Sequence, residues 1–289
     1  MMNGGHRRRR WQVVFWAVAA VTGWVGEADG QSGRIVYEKT VTYDVEMPSE
    51  MAGIPEMLFR RDGAEFSVYF TPSSSLMIQE DERRGGQGGL LVFPFTDRHV
   101  DALIALLTEW HRIDENIMRQ AYSRADDLST VRVLRSIRRT LRVEGAGVDV
   151  EWRISDEQRE HLGFRVVRAI SGAGDDLIEA WYAPDIPVAG GPALYGGLPG
   201  MILWLSLGGG RTRYHATEID LDGVEEGAIV PPDEGELVSE DEYRSVITNE
   251  IRRMRRAFRE MRGLFRGPPR PECSIRNEGS RLVVNCFQR

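Results

Sequence analysis

The sequence predicts an α+β fold that is mainly β, a curved antiparallel sheet of half-barrel-like form with two amphipathic helices on or beside it. Three observations carry this expectation. Many short segments alternate apolar and polar residues, Gly-rich links join several of them with no helix between, and only two stretches shift to helical spacing. With 289 residues, 42% hydrophobic and 28% charged, the chain has an ordinary globular composition and the length for a substantial core. The expected organisation is a signal peptide over 1–30 and a single mature domain over 31–289.

The amino end sets the compartment. HRRRR (6–10) is a positive n-region, and WQVVFWAVAAVTGWV (11–25) is an apolar h-region, shorter than the roughly 20 residues a spanning helix needs. Small residues follow, with cleavage expected after Ala28 or Gly30 and no Cys nearby for lipidation. This predicts export to the periplasm or outer membrane, with no transmembrane anchor after cleavage. Loss of 1–30 removes Arg7, Arg8, Arg9 and Arg10 with Glu27 and Asp29, moving the formal charge from -7 to -9. So acidic a molecule is a poor partner for nucleic acid, which is bound by neutralising phosphates.

In chain order, RIVYEKTVTYDV places Ile35, Tyr37, Val41, Tyr43 and Val45 on one strand face, broken by Lys39. AEFSVYF alternates Phe66, Val68 and Phe70, and SLMIQ (75–79) and LLVFPF (90–95) are further strands. Val100, Leu103, Ile104, Leu107, Trp110, Ile113 and Ile117 predict a helix over 99–120. Strand patterns return in 131–143, in VDVEWRI (Val148, Val150, Trp152, Ile154), in GFRVVRAI (Phe164, Val166, Ile170) and in LIEAWYA (177–183). MILWLSL (201–207) is apolar on both faces and predicts a central strand, followed by TRYHATEIDL (212–221).

The second helix is expected over 239–265. Ser239 and Glu242 form a capping box, Tyr243, Val246, Ile247, Ile251, Met254, Phe258, Met261 and Phe265 form its stripe, and GPP (267–269) ends it. Arg252, Arg253, Arg255, Arg256, Arg259 and Arg262 line another side. Such a face reads either as a surface-docking element or as the solvated side of a helix laid on a sheet, and the regular stripe favours the second. The two cysteines, Cys273 and Cys286, stand almost symmetrically about NEGS, which predicts a cross-strand disulfide in a terminal hairpin.

Chemistry is sparse. His99, His111, His161 and His215 are scattered without metal-ligand spacing, and no nucleophile elbow or Walker lysine is present. No metal or cofactor is implied. Leu198-Pro199-Gly200-Met201 has the residues of a type II turn, feeding the central strand. Trp181, Tyr182 and Trp204 gather near that corner and, with Leu198, Pro199 and Gly200, make the candidate binding residues.

These residues also carry a family resemblance. AWYAPDIPVAGGPALYGGLPGMIL resembles the signature of the GLPGLI family of exported proteins of Bacteroidetes-type bacteria. The match lies in Ala180, Trp181, Tyr182, Pro184, Ile186, Pro187, Gly191, Pro192, Gly197, Leu198, Pro199, Gly200, Ile202 and Leu203. Met201 replaces the usual Leu, and Asp185 stands where Glu is commoner. Upstream, WRISDEQREHLGFRVVRA is similar to the family's W-x-I-x-x-E and G-[YF]-x-C-x-x-A segments, with Val166 in the position of the Cys. The resemblance spans 152–203 and implies a secreted or periplasmic envelope protein, in some members associated with outer-membrane receptor systems, with no established reaction. The expected function is therefore non-catalytic binding of a lipid, peptide or outer-membrane partner in a groove on the sheet. The alternative is an envelope hydrolase built on carboxylates or on His161 with His215.

Overall fold

The computed structural model describes residues 31–43, 45–46, 48–51, 65–80, 91–94, 97–112, 117–136, 138–225, 227–261, 272–278 and 281–287. The expected signal peptide over 1–30, Ile113, Arg262, Phe265 and the GPP stop lie outside them. The strands are β1 (Gly33–Val41), β2 (Glu65–Phe70), β3 (Ser74–Gln79), β4 (Leu91–Pro94), β5 (Met118–Arg124), β6 (Ser129–Arg135), β7 (Thr140–Ala146) and β8 (Arg153–His161). They continue with β9 (Phe164–Ser171), β10 (Ile178–Ala183), β11 (Met201–Leu207), β12 (Thr212–Asp220), β13 (Glu236–Val238), β14 (Glu272–Glu278) and β15 (Arg281–Phe287). The helices are α1 (Asp97–Arg112) and α2 (Glu240–Met261).

The protein is mainly β. Twelve strands form one sheet in the order β13-β7-β6-β5-β3-β2-β1-β12-β11-β10-β9-β8, and β15-β14-β4 form a second. The expectation of a purely antiparallel sheet is corrected at one edge, where β13 runs parallel to β7. The chain between β7 and β13, which contains β8 to β12, supplies the crossover that a parallel pair requires.

β1 shows how the pattern becomes a core. Ile35 and Tyr37 are fully buried, and Lys39, which broke the apolar row in sequence, stays in it at 2% exposure. Its ammonium lies 5.9 Å from the centre of the Phe66 ring. β11 lies between β10 and β12, and six of its seven residues are buried, so the segment apolar on both faces is indeed covered on both. The buried cluster runs from Phe66, Met77 and Ala121 through Tyr37 and Tyr214 to Leu203 and Ala180.

Three sequence expectations are corrected. The helix expected over 99–120 is described over Asp97–Arg112, Ile117 is helical as well, and the correction lies at its end, where Met118 begins β5. Met118, Ala121 and Tyr122 are the buried residues there, a spacing produced by a register shift between Met118 and Gln120 rather than by helical turns. The segment 131–143 divides into β6 and β7 at a turn that Ser136 closes, its hydroxyl accepting from the Arg139 amide at 3.2 Å and donating to the Arg139 carbonyl at 2.9 Å. The strand expected in VDVEWRI starts only at Arg153 and continues through SDEQREH. Ile154 is exposed on β8, an edge strand, and Val148 is exposed in the segment that precedes it.

α2 starts as expected. The Ser239 hydroxyl accepts from the Glu242 amide at 3.2 Å, and the Glu242 carboxylate accepts from the Ser239 amide at 2.9 Å. Tyr243, Ile247 and Phe258 are buried. In the terminal hairpin, Cys273 and Cys286 are register partners, and β4 adds a third strand. No helix among the described residues is long and apolar enough to cross a membrane.

Candidate functional site

The loop between β10 and β11 holds the glycine-proline residues. The type II turn is replaced by a tighter one: the Gly200 amide donates to the Leu198 carbonyl at 2.8 Å about Pro199. The Met201 amide, which a type II turn would use, donates instead to the Ile186 carbonyl at 2.9 Å. A Cβ on Gly200 would stand 2.2 Å from the Ala183 oxygen, so this glycine is needed for close backbone approach. Gly197 takes φ +81 and would meet only Trp152 Nε1 at 3.9 Å, so it serves the backbone angle. Trp152 Nε1 donates to the Gly196 carbonyl at 2.8 Å, which ties the approach to β8 to this loop.

The loop packs inward. Ile186, Val188, Ala193 and Leu198 are buried, while Pro199 is exposed. Ala193 and Leu194 take left-handed φ of 54° and 67°, costing on the order of 1 kcal/mol each. The Ala193 amide is held by Met77 Sδ of β3 at 3.3 Å.

The other face of the sheet presents a row of opposed side chains. Arg168, Trp181, Trp204, His215 and Glu38 are successive register partners across β9, β10, β11, β12 and β1, and directly opposed residues share a face. Trp181 is 8% exposed and Trp204 is half-buried. The Trp181 ring is fixed by Glu179, whose Oε1 accepts from Trp181 Nε1 and from Arg168 Nε, each at 3.0 Å. Glu157 takes a second hydrogen bond from Arg168 at 2.6 Å.

The β8–β9 hairpin tip bends over this row. Leu162 and Gly163 have φ of 52° and 83°, the two left-handed residues of a type I′ turn between the partners His161 and Phe164. The Arg159 guanidinium lies 3.9 Å from the Trp181 ring centre and 5.4 Å from that of Trp204. Arg159 makes no hydrogen bond or ion pair among the described residues. Burial draws its pKa down and the Glu179 charge opposes this, but a guanidinium keeps its charge at neutral pH. Two residues on, His161 Nε2 meets the Ala216 carbonyl at 2.9 Å. Burial lowers the His161 pKa, the Ala216 hydrogen bond raises it, and the charges of Arg159 and His215 lower it further.

Of the six candidate binding residues, the structure brings Trp181 and Trp204 together. Tyr182 alternates to the core side, where Leu198 and Gly200 also lie buried. His161 and His215 are near enough to influence one another, yet each has its own partner, the Ala216 carbonyl and Glu38 at 3.4 Å. Sequence reasoning missed Arg159, Arg168 and Glu179. The signal for Arg159 was its two-residue spacing from His161 on one strand face, hidden because SDEQREH carries no apolar alternation. Among the described residues, no group of three or more His, Cys, Asp or Glu side chains could hold a metal ion.

No curated protein matches the chain. Two solved structures of PNGF-II, in the P21 and C2 space groups, align with TM-scores of 0.46 and 0.44 at 12% and 14% identity. The alignments cover 76% of this chain and 34% and 33% of theirs, so the chain spans about a third of those proteins. A family model described as a protein of unknown function (Porph_ging) matches residues 155–204, from within β8 to Trp204. Over that stretch, which holds both the glycine-proline loop and the tryptophan pair, the chain is similar to this family.

Proposed function

We propose that this GLPGLI-type chain is an exported envelope protein that binds a partner without catalysing a reaction, and that it takes a peptide segment of that partner on the outer face over Trp181 and Trp204. The observation that carries this reading is the half-buried Trp204 beside Trp181 on the solvent side of the sheet, with Arg159 stacked over both. Paired indoles offer a large rigid contact area at small entropic cost.

A half-barrel-like curvature of the sheet fits with this. The loop after β10 touches Met77 of β3, five strands away along the sheet order. A flat sheet at about 4.8 Å per strand would hold those strands about 24 Å apart. The concave side of such a sheet would be filled by Ile186, Val188, Ala193 and Leu198, which leaves less support for an acyl chain held there. The outer face is the surface left for a partner, such as an outer-membrane receptor component. The hydrolase alternative is supported less, because His161 and His215 point their polarity at separate partners.

The test compares natively exported wild-type protein with Trp204→Ala and Arg159→Ala by co-purification from envelope extract and mass spectrometry. A partner enriched with the wild type and lost from both folded variants is the expected result. A wild-type protein that carries no partner, or a partner retained equally by both variants, would overturn the assignment. Amino-terminal sequencing of the same material should begin within a few residues of Gln31.

A further inference from the structure

The second half of α2 carries Arg252, Arg253, Arg255, Arg256 and Arg259, all exposed. At about 100° per residue, Arg252, Arg255, Arg256 and Arg259 fall within an arc of about 100°, on the side turned away from buried Tyr243, Ile247 and Phe258. Glu260 is the one acidic residue among 251–261.

These cations differ from others in the molecule. Arg34, Arg132, Arg139, Arg168 and Arg244 each hold a carboxylate. On α2, Arg252 donates to Asn249 Oδ1 and Arg259 to the Arg255 carbonyl. Among the described residues Arg253, Arg255 and Arg256 make no ion pair. Arg255 shares a cleft with Glu46, Asp101 and Glu109, but Arg252, Arg256 and Arg259 make no ion pair among the described residues, and in a chain of formal charge -7 such a concentration of positive charge is the exception.

We propose that this face of α2 docks the protein on an anionic phospholipid surface. Apart from Arg255 in its cleft, Arg252, Arg256 and Arg259 form an exposed row about 10 Å long at 1.5 Å per residue, which offers a strip of charge to a flat surface. Among the described residues no exposed large hydrophobic side chain stands on α2, so the described patch lacks the aromatic or aliphatic anchors of a protein interface. Phosphate headgroups ask only for positive charge. Tyr243, Ile247 and Phe258 are committed to the core, so the arginine face lies on the membrane without inserting and attachment is reversible. Each basic residue near an anionic surface adds roughly fivefold to partitioning. The acidic remainder of the molecule is repelled, which turns the α2 face toward the lipid.

Purified exported protein is sedimented with vesicles of phosphatidylcholine alone and of phosphatidylcholine with about 30% phosphatidylglycerol. Binding to the anionic vesicles alone is expected at low salt, with release at about 0.5 M, where the Debye length falls below about 5 Å. Arg252→Glu/Arg256→Glu/Arg259→Glu should weaken partitioning by about tenfold or more. The matched control Arg138→Glu/Arg165→Glu, at exposed sites off the helix, should bind nearly as the wild type does. Circular dichroism and Tm establish that each variant is folded, and Arg256→Gln/Arg259→Gln replaces the triple variant if that one is not. Equal sedimentation with both vesicle types, no sedimentation with anionic vesicles at low salt, or undiminished binding by a folded α2 variant would overturn the proposal.

Discussion

The Tyr37 hydroxyl donates to the Ile202 carbonyl at 2.6 Å inside the core, joining β1 to β11 across the intervening β12. The β11–β12 register begins only at Trp204 opposite His215, so at Ile202 the phenol supplies a donor that strand pairing does not. Tyr37→Phe should lower stability by about 1–2 kcal/mol, because a buried carbonyl loses its partner. Urea denaturation at neutral pH measures this.

The same phenol predicts an alkaline limit. Burial raises its pKa well above the ordinary value of about 10, so the unfolded chain releases this proton before the folded one does. The contribution is complete below about pH 10 and declines as pH rises beyond it. Wild-type stability should therefore fall more steeply between about pH 9 and pH 11 than that of Tyr37→Phe, and matching slopes would refute the assignment.

The two glycines of the corner should respond differently to alanine. Gly200→Ala places a methyl 2.2 Å from the Ala183 oxygen and should cost about 3 kcal/mol or more. Gly197→Ala has room at 3.9 Å from Trp152 and suffers only its positive φ, about 1 kcal/mol. Thermal melts of the pair give the ranking directly.

His161 predicts an acid response. Its folded pKa lies below the ordinary value of about 6.5, so as pH falls through that value the unfolded chain binds the proton first and the folded state loses stability. The contribution is present above about pH 6.5 and is lost below it. His161→Gln cannot titrate and should show a flatter dependence of Tm on pH between about 6.5 and 5.

Cys273 and Cys286 face one another in the β14–β15 register, and in an exported chain they are expected to be bridged. Alkylation of the unfolded, unreduced protein should label neither cysteine. Cys273→Ser/Cys286→Ser should weaken the terminal hairpin by about 3 kcal/mol, the chain-entropy estimate for a loop of this length.

The sequence disclosed those elements whose side chains sort cleanly between two environments. β1, β2 and α2 each bury one apolar set, so Ile35, Phe66 and Tyr243 declared their places by spacing alone. β8 did not, since an edge strand facing water has no apolar row to display and its charged run reads as a surface loop. The start of β5 was hidden by the register shift at Met118, which let Met118 to Gln120 read as a continuation of the helix that Ile117 still belongs to. At the site, the aromatic residues were visible as a cluster, but not which face each one takes. Arg159 is 22 residues from Trp181 and 45 from Trp204 in the chain, and only the folding back of the hairpin brings it to the indoles.

An open sheet must end somewhere, and this one ends on β8 and β13. β13 has three residues, too few to template another chain, but β8 offers nine. Its outer backbone groups could recruit the same strand of a second molecule and propagate into fibres. Arg153, Asp156, Glu157, Arg159 and Glu160 oppose this by placing charge along the strand, and the register break between Ile154 and Gln158 spoils a straight ladder. Solubility at high concentration thus depends on the least apolar strand in the molecule. Asp156→Val/Glu160→Thr should make the mass by light scattering grow more steeply with concentration than that of the wild type.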